Sequence, residues 1–150
     1  MKPATIDMGI EVVTIPVADV GRAKAFYESL GWRLDADLQL GEQIRAVQFT
    51  PLHSGCSVAF GEGLTTAEPG SAQRFEVVVA DIEAARADLI ERGVEVSDFF
   101  HLGSSGFEPG PDPERESYRT FASFVDPDGN SWLLQEVTER RDRSGGADDN

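Results

Sequence analysis

The chain has 150 residues, 40% of them hydrophobic, a formal net charge of −14 and a single cysteine. That length and apolar content suffice for a packed core without covalent staples, and Cys56 has no partner for an internal disulfide. The acid excess opposes a phosphate backbone or an anionic bilayer, and no apolar run has the length of a signal peptide or a span. Nucleic acid and membrane are therefore not expected as partners, and a cytoplasmic protein is.

Residues 10–17, IEVVTIPV, are β-branched and predict a strand. The next stretch, VADVGRAKAFYESLG (17–31), predicts a helix capped by Asp19, with Val20, Ala23, Phe26, Tyr27 and Leu30 at helical spacing and Gly31 suited to the left-handed exit. Strand candidates follow at 32–40, 43–50 and 56–60, and then a Gly/Pro/Thr-rich linker at 62–73. Residues 74–80, RFEVVVA, predict another strand, after which VADIEAARADLIERG (79–93) repeats the earlier phrase with Asp81 as cap and Gly93 as exit. Further strands are predicted at 94–102, 118–125 and 131–137. Residues 103–117, rich in Gly, Ser and Pro, are expected to form a mobile lid with Phe107 at its tip. Asp126-Pro127-Asp128-Gly129-Asn130 reads as a tight turn, since it lacks the distal Glu of a calcium loop. Residues 139–150 carry charge without apolar content and predict a disordered acidic tail.

Strand, helix and three strands thus occur twice, offset by the 62 residues from Asp19 to Asp81. With VTIPVADVGRAKAFYESLGW in the first copy and FVDPDGNSWLLQEV in the second, residues 10 to about 138 resemble the vicinal oxygen chelate superfamily of glyoxalases, extradiol dioxygenases and bleomycin-resistance proteins. The resemblance implies an α+β fold. Two tandem βαβββ modules, about 9–61 and about 74–138, would form a cupped eight-stranded cleft within one domain spanning 1–138. It also implies a homodimer.

Metal-dependent relatives place donors at positions that correspond here to Val12, Ala59, Arg74 and Leu133. None of these donates to a metal, because three are apolar and a guanidinium has no lone pair to give. Neither a metal nor a cofactor is expected. Strand alternation turns Glu11 and Glu136 away from the cleft and Val12, Thr14, Gln48, Phe121, Leu133 and Gln135 into it, and with Phe107 these are the expected ligand-binding residues. Arg74 and Glu76, two apart on one strand, read either as an internal ion pair or as ligand-facing groups, an oxygen clamp and a proton acceptor. His101 joins them as a candidate acid or base if the following loop closes over the cleft. His53 reads as an exposed turn residue, Tyr118 as a packing residue and Cys56 as a small buried or turn residue and not a nucleophile.

Three functions compete. The first is a metal-free binding protein for a small organic molecule in the cleft between the modules, like the bleomycin-resistance proteins. The second is a metal-free isomerase, lyase or cyclase using Arg74, Glu76 and His101. The third, a metal-dependent lyase or dioxygenase, is opposed by the empty donor positions.

Overall fold

The computed structural model describes residues 5–142. The described chain divides into two compact units, one holding residues 5–73 together with 126–130, the other holding 74–125 and 131–142.

The first unit contains β1 (Val12–Thr14), α1 (Val20–Ser29), β2 (Arg33–Leu40), β3 (Ile44–Thr50) and β4 (Ser57–Glu62), with sheet order β1-β4-β3-β2. β1 runs parallel to β4 and the other pairings are antiparallel. β1 stops short of its expected length because Pro16 has no N–H for the ladder, while its carbonyl is taken by Gly70 N–H and by Asn130 Nδ2. Asp19 caps α1 by accepting from Arg22 N–H at 2.9 Å, and Gly31 leaves the helix at φ 84°. The helix buries Val20, Ala23 and Tyr27 together with Ile15, just past β1, and with Val47, Phe49 and Phe60 of the sheet. Tyr27 has its ring centroid 5.4 Å from that of Phe60 and donates its hydroxyl to Asp126 Oδ2 at 2.8 Å. Asp37 ties α1 to β2 and β3, accepting from Lys24 at 3.0 Å and from Arg45 at 2.8 Å. Gly61 is required where β4 passes β3, since a Cβ there would stand 1.7 Å from the Arg45 carbonyl oxygen.

The second unit contains β5 (Phe75–Val79), α2 (Ile82–Glu91), β6 (Phe100–Gly103), β7 (Gly106–Pro109), β8 (Thr120–Val125) and β9 (Ser131–Glu136), in the order β5-β9-β8-β6-β7. Asp81 caps α2 through Ala84 N–H, and Ile82 and Leu89 pack with Ala122, Phe124, Trp132 and Leu134.

The α+β architecture of two modules agrees with the sequence, and three expectations are corrected. The described residues form nine strands instead of eight, because residues 103–117 supply β7, which pairs with β6 from Phe100↔Pro109 to Gly103↔Gly106. Nor do those residues form a loose lid. Arg115 holds the buried Glu136 carboxylate in a fork at 2.9 and 3.1 Å, Asp112 is buried, and Tyr118 N–H bonds to the Glu136 carbonyl. The strand expected from residue 94 begins only at Phe100, because Arg86 donates to the Ser97 carbonyl and Ser97 Oγ takes the Ser123 N–H of β8, bonds that replace part of a backbone ladder. Of the expected tail, residues 143–150 lie outside the described residues, and Arg141 N–H bonds to the Tyr118 hydroxyl at 2.9 Å.

Candidate functional site

Each sheet lays one face against its helix and leaves the other face without one. On the first unit the uncovered face carries Val12 and Thr14 of β1, Ser57 and Ala59 of β4, Ala46 and Gln48 of β3, and Ala36 and Leu38 of β2, as the pairing Thr14↔Ala59↔Gln48↔Ala36 requires. Val12 is 42% and Leu38 52% exposed, so apolar surface meets water there. At its edge Thr50 joins Asp35 and Ser57 in a hydrogen-bonded cluster. The Thr50 hydroxyl and then the Arg33 guanidinium hold the Asp35 carboxyl below its ordinary range.

On the second unit the uncovered face follows from the row Val78↔Gln135↔Phe121↔Phe100↔Pro109 and the adjoining row Glu76↔Leu133↔Ser123. Leu102 and Phe107 extend it at the β6–β7 hairpin. Phe121, Leu133 and Gln135 are buried at the centre, while Glu76, Val78 and Phe107 form an exposed rim. Among the strand residues of this face, Glu76 is the only titratable side chain. The expected ligand-binding set is thus divided: Val12, Thr14 and Gln48 on one sheet, Phe107, Phe121, Leu133 and Gln135 on the other.

Two of the three catalytic candidates are not among the strand residues of this face. His101 alternates with Phe100 and so faces α2, as does Phe99, whose ring lies 5.4 Å from the Arg86 guanidinium carbon. It is 8% exposed, with Nδ1 2.7 Å from the Gly110 carbonyl and Nε2 3.2 Å from Glu108. A carbonyl oxygen only accepts, so Nδ1 carries a proton. Arg74 precedes β5 in the left-handed region at φ 64°, where strand alternation no longer applies. Its N–H donates to Ser131 Oγ at 2.8 Å. Among the described residues, no ion pair joins Arg74 to Glu76. Phe100 lies on this face as well, opposite Phe121, although the alternation of aromatics in its strand reads by itself as core; what brings it to the face is β7, which falls within the stretch expected to be a lid.

The donor positions do not fit a metal. Val12 and Ala59 lie on the first sheet among Ser57, Thr14 and Gln48, and Leu133 lies beside Glu76 and Ser123. Among the described residues no cluster of three His, Cys, Asp or Glu side chains could hold an ion.

A family model described as bleomycin resistance protein-like N-terminal matches residues 12–42. No curated protein sequence matches the chain. Among solved structures, TnmS3, an antibiotic binding protein from Streptomyces sp. CB03234, is 31% identical over 89% of this chain and 99% of its own, with a TM-score of 0.69. A glyoxalase/bleomycin resistance protein from the same organism is 32% identical over 85% of this chain and 100% of its own, at 0.65. A member of the glyoxalase/bleomycin resistance protein/dioxygenase superfamily from Sphaerobacter thermophilus DSM 20745 is 27% identical over 87% and 98%, at 0.66. The repeated module, the two sheets and these likenesses agree, and the chain belongs to the glyoxalase/bleomycin resistance protein/dioxygenase superfamily, the vicinal oxygen chelate proteins.

Proposed function

We propose that the protein binds a small organic molecule of the antibiotic kind on the uncovered face of its second sheet and holds it without chemical change. The observation that carries this reading is the composition of that face: an aromatic and aliphatic surface on which, among the described strand residues, Glu76 is the only titratable side chain. A nucleophile is activated by an adjacent base and an acid–base pair needs a second positioned group, and here His101 faces the helix and Arg74 lies outside the strand. A binding site asks only for apolar surface and a few oriented polar atoms. The likeness to an antibiotic binding protein supports the same reading. Because strand alternation does not carry Arg74 onto the face, the proposed polar anchor is Glu76.

The proposal includes a homodimer working in the cytoplasm. Ile6, Met8 and Ile10 are 71–90% exposed at alternating positions, an apolar stripe suited to cover by a second copy. Light scattering should give about twice the chain mass, and a constant mass near 16.3 kDa at micromolar concentration would count against the dimer. The binding reading is tested by calorimetric titration against an antibiotic panel, followed by mass spectrometry of the released compound. A saturable complex returning the compound unchanged supports it. Conversion to a product during turnover would replace it with the enzyme reading.

A further inference from the structure

We propose that His101 and Glu108 form a proton-operated latch, which ties the edge strand β7 to β6 while the His101 ring is an imidazolium and releases it when the ring becomes neutral. The two residues stand directly opposite each other in the β6–β7 ladder. Two acceptors meet the ring: the Gly110 carbonyl, 2.7 Å from Nδ1, and the Glu108 carboxylate, 3.2 Å from Nε2. With its proton on Nδ1 for the carbonyl, a neutral ring turns the bare lone pair of Nε2 toward a carboxylate oxygen, and two acceptors without a hydrogen between them repel. With a carboxylate as partner, the contact is attractive only when Nε2 carries a proton as well. Room for it is built into the hairpin, because the Glu108 side chain lies over Gly103, where any Cβ would collide with the carboxylate.

His101 is 8% exposed, whereas the Glu108 side chain is 49% exposed and swings into water once it is not held. The other charged groups around the hollow beside the ring are Asp112, Glu114, Glu116 and Arg119. Asp112 accepts the Glu116 N–H, and Arg119 is engaged by the Leu102 carbonyl and Glu116. β8 places the uncharged Thr120 opposite His101. On α2, Arg86 is taken by the Ser97 carbonyl and the Phe99 ring, and Glu83 by Arg115. β7 itself is lightly held, having four residues, a sheet edge on its outer side, and Pro109 without an N–H for the ladder. Phe107 rides on this strand and sets its ring edge-on to Phe100 and Phe121, 5.5 and 5.6 Å away, so the rim of the apolar face follows the latch. An imidazole gains or loses its charge between about pH 5 and 8, so the latch holds at the acid end of that range and weakens toward the alkaline end.

The test combines nitrogen NMR of the imidazoles with amide hydrogen exchange across that pH range, on wild type, Glu108→Gln and Glu108→Ala, with melting curves to confirm folding. Glu108 is the residue to replace because its half-exposed side chain can be changed without opening the core. The chain has two histidines, and His53, exposed in the turn after β3, is the reference. In wild type the His101 ring should carry protons on both nitrogens at the acid end and lose the one on Nε2 at the alkaline end. Protection of the β6–β7 amides, corrected for the intrinsic pH dependence of exchange, should fall with it by about two- to fivefold, the scale of a half-exposed ion pair. Glu108→Gln offers Nε2 either an acceptor oxygen or a donor N–H, so its protection should stay nearly level. Glu108→Ala should be level too, at the lower value that wild type reaches in alkali. A ring with Nε2 bare at the acid end, or one that keeps both protons at the alkaline end, would overturn the proposal. So would protection that ignores the titration of the ring, or a pH response that persists in Glu108→Ala.

Discussion

Tyr27 and Asp126 stand 99 residues apart in the chain and share a buried 2.8 Å hydrogen bond from the phenol to the carboxylate. The same carboxylate accepts from the backbone N–H groups of Asp128 and Asn130 and from Asn130 Nδ2, so all of its lone-pair directions are used. The turn at 126–130 is thereby held as part of the first unit, although its flanking strands belong to the second.

Unequal losses are expected from removing the two partners. Tyr27→Phe deletes one donor and leaves the carboxylate three others, costing about 1–2 kcal/mol. Asp126→Ala removes the acceptor of the buried phenol, of one Asn130 amide hydrogen and of two backbone N–H groups, and should cost about 3–5 kcal/mol. Urea denaturation of both variants against wild type measures the difference, and a smaller loss for the alanine variant would contradict this account.

Arg115 is expected to be a structural cation. It forks onto Glu136, whose side chain is 4% exposed, and also reaches Glu83 at the start of α2, while Glu136 accepts the Ile82 N–H. Arg115→Ala leaves that carboxylate buried with one donor, and should cost about 2–3 kcal/mol, trimmed by the partial exposure of the guanidinium. Arg115→Lys should recover less than half, because an ammonium cannot form the fork. Melting curves decide it, and a shift of under a degree in the alanine variant would show that the pair contributes nothing.

Acid should weaken the first unit through Asp37. The Arg45 guanidinium and then Lys24 hold its carboxyl well below the ordinary 3.8, so in the acid range the unfolded chain binds the proton that the folded chain refuses. The resulting stability is complete above the unfolded value and is lost as pH falls through and below it toward the folded one. Denaturation midpoints should therefore be level from pH 7 to about 5 and decline below about 4. Asp37→Asn should flatten that decline, and high salt should shrink it, because the three side chains are 24–30% exposed.

At Arg74 the backbone, at φ 64°, favours glycine. Arg74→Gly should be neutral or gain up to about 1 kcal/mol, the relief of left-handed strain outrunning the added freedom of the unfolded chain. Affinity for the panel ligand should change less than about twofold in Arg74→Ala. A tenfold loss in that variant would restore Arg74 as the polar anchor.

Protein purified without chelator should contain no stoichiometric zinc, iron, manganese or nickel by elemental analysis, and added chelator should leave its melting temperature unchanged. The side chains at Val12, Ala59, Arg74 and Leu133 carry no lone pair for an ion. One equivalent of metal, lost when residues of either uncovered face are replaced, would overturn this.

Local chemistry wrote most of the fold into the chain. The caps at Asp19 and Asp81, the exits at Gly31 and Gly93 and the repeat that they bracket depend on neighbours within a few residues, so composition and spacing alone determined both helices and the two-module plan. The absence of donors at the metal positions was likewise a matter of side-chain identity. Tertiary structure decided what depends on pairing. β7 is four residues without a marked pattern, GFEP, and becomes a strand only because β6 offers it an edge. Its arrival moved Phe107 from a supposed lid to a ring cluster with Phe100 and Phe121. His101 was turned toward α2 by the register of that same strand, since a shift of one residue exchanges the faces of a sheet. At Arg74 a left-handed backbone dihedral interrupts the alternation just before β5, which no periodicity in the sequence records.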